Sequence, residues 1–139
     1  PREVYGLRME LTAKSKDEIG SVLYNRGMIS AMLSIEAIKQ AQSKYGKRVV
    51  TGEEVRWGAE NLNLDAAKIK ALGFADTVQP IKTSCRNHEG VARGRIHTWD
   101  GKEWSYTSDW YEADQKFLRP LIEASAKAYA AEKKLTPRD

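Results

Sequence analysis

The spacing of apolar side chains predicts one long helix over residues 20–45. Apolar residues recur there at steps of three and four, which places them on one side of a helix. The predicted buried stripe consists of Met28, Met32, Ile35 and Ile38, widened by Ile29, Leu33 and Ala37. Gly46 follows directly, at the position where a left-handed glycine commonly ends a helix.

Two shorter helices follow, each with a recognisable start. Thr51 and Glu54 have the spacing of a capping box, which predicts a helix that runs to about Leu62. Asp65 is a suitable N-cap for a third helix over residues 66–72, which Gly73 would end. The first half of the chain is therefore predicted to be helical.

The pattern changes after residue 78. Residues 91–99 and 102–107 flank Asp100-Gly101, a two-residue hairpin signal that would place Trp99 opposite Lys102 and His97 opposite Trp104. Residues 118–134 regain a helical period, with Pro120 expected in the first turn of the helix. Taken alone, the chain is predicted to be a helix-rich α+β protein with one β-hairpin.

Composition narrows the class of protein. The chain has 139 residues, of which 41% are hydrophobic and 30% charged, and this is enough for one domain with a core. No apolar run approaches the length of a membrane span, so direct membrane insertion is not expected. An isolated two-stranded hairpin is marginal in water. Because the sequence opens on Pro1, we expect a missing N-terminal portion to complete the sheet.

Six segments resemble the C-terminal third of a known protein family. In chain order they are GSVLYNRGM (20–28), IEAI (35–38), TGEEVRWG (51–58), PIKTSCRNHEG (80–90), WDGKEW (99–104) and SAKAYA (125–130). Their order and spacing are similar to those of type 1 periplasmic substrate-binding proteins of the branched-chain amino acid (leucine/isoleucine/valine-binding) ABC transporter family.

The resemblance implies an α/β fold of two Rossmann-like lobes joined by a three-segment hinge, with most of both lobes outside this chain. It implies that residues 1–18 end the second lobe and cross the hinge. Residues 19–77 would supply helices of the first lobe, and residues 78–111 the last crossing and the hairpin. Residues 112–139 would form the C-terminal helix.

The function implied by the resemblance is that of a non-enzymatic, extracytoplasmic solute-binding component of an ABC importer. Such a protein would close its lobes on a small carboxylate, either a branched-chain amino acid or a related organic or aromatic acid. Its expected partners are that ligand, the membrane permease and the remaining N-terminal part of the same protein. The expected location is the periplasm, or an extracytoplasmic, membrane-associated position in Gram-positive species, and no cofactor is expected.

Tyr24, Asn25 and Arg26 are the first candidate ligand-binding residues. They lie at the start of the predicted long helix, where free backbone N–H groups favour a carboxylate. Arg26 is suited to a bidentate grip and Tyr24 to an aromatic wall. The alternative is structural, with Tyr24 packed in the lobe and Arg26 in solvent.

The second candidate segment holds Cys85, Asn87, His88 and Glu89. Cys85 and His88 have a spacing that occurs in zinc sites, but a four-ligand site would also need His97 and Glu89, so no metal is predicted. A Cys–His nucleophile is not predicted either, because no oxyanion-hole motif accompanies it. The favoured interpretation is a hinge crossing, with Cys85 alternatively paired to a cysteine outside this chain.

An aromatic cluster on the hairpin supports an alternative function. Trp99, Trp104, Tyr106 and Trp110 lie near Arg93, Arg95 and Lys102, as in platforms that stack single-stranded nucleic acid. A net charge of +4 is small for such a role. Packing between the two strands is therefore the preferred explanation of the aromatic residues, and no nucleic-acid partner is expected. The alternative function is a small basic interaction module that uses the hairpin, with single-stranded nucleic acid as its candidate ligand.

Overall fold

The computed structural model describes residues 18–75, 77–90 and 92–136. The chain divides into two compact units, Pro1–Val91 (unit 1) and Ala92–Asp139 (unit 2). Of the predicted hinge segment 1–18, only Glu18 lies within the described residues. The predicted boundaries after residues 18, 77 and 111 stay predictions.

The long helix is present as α1, Val22–Tyr45. Ser21 precedes it as N-cap, and the Ser21 side chain accepts a hydrogen bond from the Tyr24 amide. Gly46 ends it with a φ of +95° and donates its N–H to the Gln42 carbonyl. This left-handed backbone confirms the predicted glycine stop, because side chains other than hydrogen disfavour that φ.

The buried face of α1 differs from the predicted stripe. Met32 and Ala37 are buried as expected, but Ile35 is 52% exposed and Ile38 is 38% exposed. The face that packs inward instead includes Glu36 and Ala41. Small residues are favoured on that face because a second helix crosses it closely.

That second helix is α2, Gly52–Ala59. Its predicted capping box is confirmed, since Thr51 and Glu54 each bond the other's backbone N–H. The helix ends at Ala59, three residues before the predicted end. The Trp57 ring of α2 lies edge-on to Tyr45 of α1, with 5.7 Å between ring centroids, and the Lys44 ammonium lies 4.0 Å from the Trp57 centroid.

The core of unit 1 forms where α1 meets the segments that follow α2. Helix α3, Ala66–Ala71, begins after the predicted cap Asp65, whose side chain accepts from the Lys68 amide. Strands β1, Asn63–Leu64, and β2, Ile81–Lys82, pair antiparallel. The buried core cluster consists of Met32, Leu64, Ile69 and Phe74.

Unit 2 contains two short antiparallel pairs. Strand β3, Arg93–Gly94, pairs with β6, Tyr111–Glu112. Strand β4, His97–Trp99, pairs with β5, Trp104–Tyr106.

The hairpin register differs from the prediction. Trp99 faces Trp104 and His97 faces Tyr106, so the connection has four residues, 100–103, and not two. The Asp100 carboxylate supports the wider loop, because it accepts from the amides of Lys102 and Glu103, both at 2.8 Å.

The last helix is α4, Gln115–Glu132. It begins three residues before the predicted start, because Asp114 caps it by accepting from the amides of Lys116 and Phe117. Pro120 therefore lies inside the helix and not in its first turn, as predicted. None of the residues of α4 is buried.

The described residues thus form a helix-rich α+β protein with short antiparallel strand pairs, as expected for the isolated chain. Across the same described ranges, none of the helices combines the length and apolar character needed to cross a lipid bilayer.

Candidate functional site

The first predicted site lies at the beginning of α1. Asn25 is half-buried and donates its side-chain amide to the Gly20 carbonyl at 2.9 Å. Tyr24 is also half-buried, whereas Arg26 is exposed. Asn25 therefore helps to fix the turn that leads into the helix, which is a structural use of one of the three candidates. Ligand binding by Tyr24, Asn25 and Arg26 stays a prediction.

The second predicted site is a tight turn over residues 84–90 that Asn87 organises. Ser84 and Asn87 exchange backbone hydrogen bonds at 2.9 and 3.0 Å. The Asn87 side chain accepts from the amides of Glu89 and Gly90 and donates to the Gly90 carbonyl at 3.1 Å. The Asn87 side chain thus uses both its oxygen and its nitrogen to hold the turn, which contains the neighbouring Cys85 and His88.

Cys85 and His88, which both lie in this turn, differ in their exposure to solvent. The Cys85 side chain is half-buried. His88 is exposed, and its Nε2 lies 3.4 Å from Oε1 of Glu60, which is itself buried. Ligand binding by Cys85, Asn87, His88 and Glu89 stays a prediction.

Glu60, which sequence analysis did not identify, connects the turn to α2. Arg56 donates to both Glu60 oxygens, at 3.0 and 3.1 Å, and also to Glu53. The hydrogen bond from Arg56 to Glu53, together with the one to Glu60, raises the pKa of Arg56 above its ordinary value. The i, i+4 spacing of Arg56 and Glu60 is the signal that could have revealed this pair.

Thr83 is a second residue that sequence analysis missed. Its hydroxyl donates to the Ala59 carbonyl at 2.6 Å and accepts from the Leu62 amide at 3.1 Å. It therefore satisfies backbone groups at the end of α2 from a position more than 20 residues away. No local pattern indicates a contact of that range.

Glu36 is a buried carboxylate inside unit 1. It forms ion pairs with Lys39 and Lys68, each at 2.8 Å. Burial alone would raise the pKa of Glu36, but the hydrogen bonds from Lys39 and Lys68 lower it below the ordinary value. Because both lysines are committed to this carboxylate, the arrangement is a structural network linking α1 to α3.

Metal binding has no support from the described geometry. Within residues 18–75, 77–90 and 92–136, no three His, Cys, Asp or Glu side chains are grouped closely enough to hold an ion.

In unit 2, the Arg95 side chain packs against two aromatic rings of the hairpin region. The Arg95 guanidinium carbon lies 3.2 Å from the Tyr106 ring centroid and 4.7 Å from that of Trp110. The His97 ring stacks on the ring of Tyr106, its partner on the facing strand, with 4.5 Å between the two centroids. Trp99 and Trp104 continue the row at 5.6 Å.

Packing between the facing strands, and between Arg95 and the rings, therefore accounts for the aromatic residues of the hairpin. The rings nevertheless keep one face in solvent, with Trp99 half exposed and Trp104 61% exposed. Among the described residues, the buried Nε of Arg95 has no hydrogen-bond partner. The Arg95 guanidinium contacts the rings of Tyr106 and Trp110.

Comparison with known proteins identifies a solved relative. No family model matches the sequence, and no curated protein matches it. A crystal structure titled as an ABC transporter permease from the Pseudomonas fluorescens group is 47% identical, with a TM-score of 0.84. The match covers 91% of this chain but only 31% of the solved chain, so the sequence spans less than a third of that relative.

This similarity overturns two predictions made from the sequence. The resemblance to a periplasmic substrate-binding protein is wrong as an identification, because the solved relative is described as a permease. The predicted function, a solute-binding component that closes on a small carboxylate, is wrong for the same reason, together with its alternative of a small basic module. The expected relationship to ABC transport is supported.

Proposed function

We propose that this chain is a folded segment of an ABC transporter component of the permease kind. The observation that carries the proposal is the 47% identity to the solved relative, over 91% of the chain at a TM-score of 0.84. Similarity at that level extends through both compact units and not through one motif alone. The proposed role is transport, and the transported substrate is left open.

The described geometry supports a scaffold more than a reaction centre. Asn87 is committed to its turn, Thr83 to the end of α2, and Glu36 to two lysines. We therefore also propose that the chain is not an enzyme. Side chains engaged in this way hold backbone segments in place and are not available for bond making.

The direct test is association with an ATP-hydrolysing subunit. The gene that contains this sequence would be tagged at its own locus, and the product purified in mild detergent. We expect an ATP-binding cassette subunit to co-purify and to show ATPase activity. A tagged, unrelated membrane protein from the same cells serves as the control.

Transport of solutes by intact cells provides a second measurement. Deletion of the gene should lower the energy-dependent movement of at least one solute in a transport panel, and complementation should restore it. Absence of both the ATPase partner and any transport change would contradict the proposal. Transport without a co-purified ATPase would instead indicate a weak complex, which chemical cross-linking before lysis would reveal.

The extracytoplasmic location stays a prediction. Lys102, at the exposed tip of the hairpin, is a suitable reporter of location. In a Cys85→Ser background, the variant Lys102→Cys should react with a membrane-impermeant maleimide in cells whose outer barrier is opened. Reaction only after lysis would contradict the prediction.

A further inference from the structure

The outer face of α4 carries a continuous apolar stripe. Its members, which we call the α4 stripe, are Phe117, Leu121, Ala124, Ala128 and Ala131. They are spaced alternately by four and three residues, the pattern by which one helix packs along another. Every member of the stripe is exposed, with Phe117 at 66% and Leu121 at 55%.

The sequence of α4 makes this exposure unusual. The helix has 18 residues and contains Pro120, which has no N–H to donate to the carbonyl one turn earlier. Most helices in proteins depend on tertiary packing of an apolar face and not on intrinsic propensity. None of the residues of α4 is buried, so the described part of the chain leaves the stripe uncovered.

A charged flank of α4 runs beside the stripe. Lys116, Glu123 and Lys127 lie together there, about a quarter of a turn around the helix from the stripe. The helix is thus amphipathic, with a charged face suited to water and an apolar face without a described partner. Toward the stripe's C-terminal end the residues are alanines, which allow a close backbone approach.

The solved relative is much longer than this chain. This chain accounts for only 31% of that protein, so more than two-thirds of the relative has no counterpart here. Resting on the proposed function, we propose that the α4 stripe docks onto the remaining part of the same transporter component. The occupant is thus a polypeptide that corresponds to the unmatched part of the solved relative, and not a second copy of this chain.

The test uses the rate at which single thiols are labelled. Two variants, Ala128→Cys on the stripe and Lys127→Cys on the charged side, are made in a Cys85→Ser background. Each is placed in the 139-residue chain and in a chimera, in which this chain replaces the matching segment of the Pseudomonas fluorescens group protein. Labelling at each position is read by mass spectrometry.

We expect both thiols to react at similar rates in the 139-residue chain, because both positions are exposed. In the chimera, the thiol at position 128 should react at least about tenfold more slowly than the thiol at 127, since buried sites react only through local opening. Equal rates in the folded chimera would overturn the proposal. A chimera that fails to fold while the parent protein folds would also count against it.

Two other outcomes are informative. If the chain alone sediments as a dimer, and the thiol at position 128 is protected in it, the occupant is a second copy and the proposal fails. Protection at position 128 in the chimera, without an ATPase partner for the native component, would leave the docking surface intact and remove the proposed function. The two failures are therefore distinguishable.

Discussion

Gly58 of α2 lies against the backbone of Ala37 in α1, so closely that a Cβ at Gly58 would be 2.0 Å from the Ala37 carbonyl oxygen. No side chain fits at that distance, and the atom it would meet belongs to the backbone and not to a movable side chain. This single approach determines which face of α1 is buried.

Replacement of Gly58 is therefore expected to destabilise unit 1. We expect Gly58→Ala to lower the free energy of unfolding by about 1–3 kcal/mol, because the two helices must separate to admit the methyl group. Chemical denaturation followed by far-UV circular dichroism measures the change.

Gly27 provides the matched control. It lies inside α1, and a Cβ built there meets nothing within 4 Å. Gly27→Ala should raise stability by about 0.5–1 kcal/mol, because alanine loses less backbone entropy in a helix. Equal effects of the two substitutions would show that the close approach does not limit the packing.

Glu54 gives a prediction about pH. The hydrogen bond from Arg48 and the backbone N–H of Thr51 hold the pKa of Glu54 to about 2, below its ordinary value of 4.5. The charged form is thus favoured in the folded protein. Its contribution to stability is complete above pH 4.5 and is lost as the pH falls toward about 2.

Carboxylate chemical shifts, recorded by NMR over this range, test the assignment. In Arg48→Met the pKa of Glu54 should rise toward its ordinary value, but not reach it, because the Thr51 N–H still donates to the carboxylate. An unchanged pKa in that variant would show that Arg48 is not the main cause.

Asn87 should be essential for the turn over residues 84–90. We expect Asn87→Ala to cost about 1–3 kcal/mol, because the amides of Glu89 and Gly90 lose their acceptor. Asn87→Asp keeps that acceptor and loses only the donation to the Gly90 carbonyl, so its effect should be smaller. Thermal unfolding of both variants measures the two losses of stability. Equal losses would contradict the prediction.

Asp100 should control the register of the hairpin. Its carboxylate accepts from the amides of Glu103 and Lys102, and these hydrogen bonds lower its pKa. In Asp100→Ala the four-residue loop loses this support, and the Trp99–Trp104 cross-strand NOEs should weaken. Asp100→Asn retains an acceptor and should keep them. Full retention of the NOEs in Asp100→Ala would mean that ring packing alone sets the register.

Features that depend on neighbouring residues were predictable from the sequence. The cap at Asp65, the Thr51–Glu54 capping box and the stop at Gly46 each involve groups within a few residues. Their chemistry is complete once the local backbone forms. The four described helices were therefore predicted correctly, whereas strands β1, β2 and β6 were not.

Features that depend on distant residues were not predictable. Ile35 has a helical spacing that suits a core, but the approach of Gly58 favours Ala37 and Ala41 on the buried face. Thr83 and Glu60 act across segments that only the fold brings together. The family assignment failed differently, since similar segments indicated ABC transport but the wrong component.

Trp57, which packs against Tyr45, allows the unfolding of unit 1 to be followed separately by tryptophan fluorescence. The sequence contains four tryptophans, of which Trp57 belongs to unit 1, while the other three, Trp99, Trp104 and Trp110, belong to unit 2. Because the Lys44 ammonium lies over the Trp57 ring, the emission of this indole should respond to the loss of the α1–α2 packing. A chain that retains Trp57 alone would then report the melting of one unit without interference from the other.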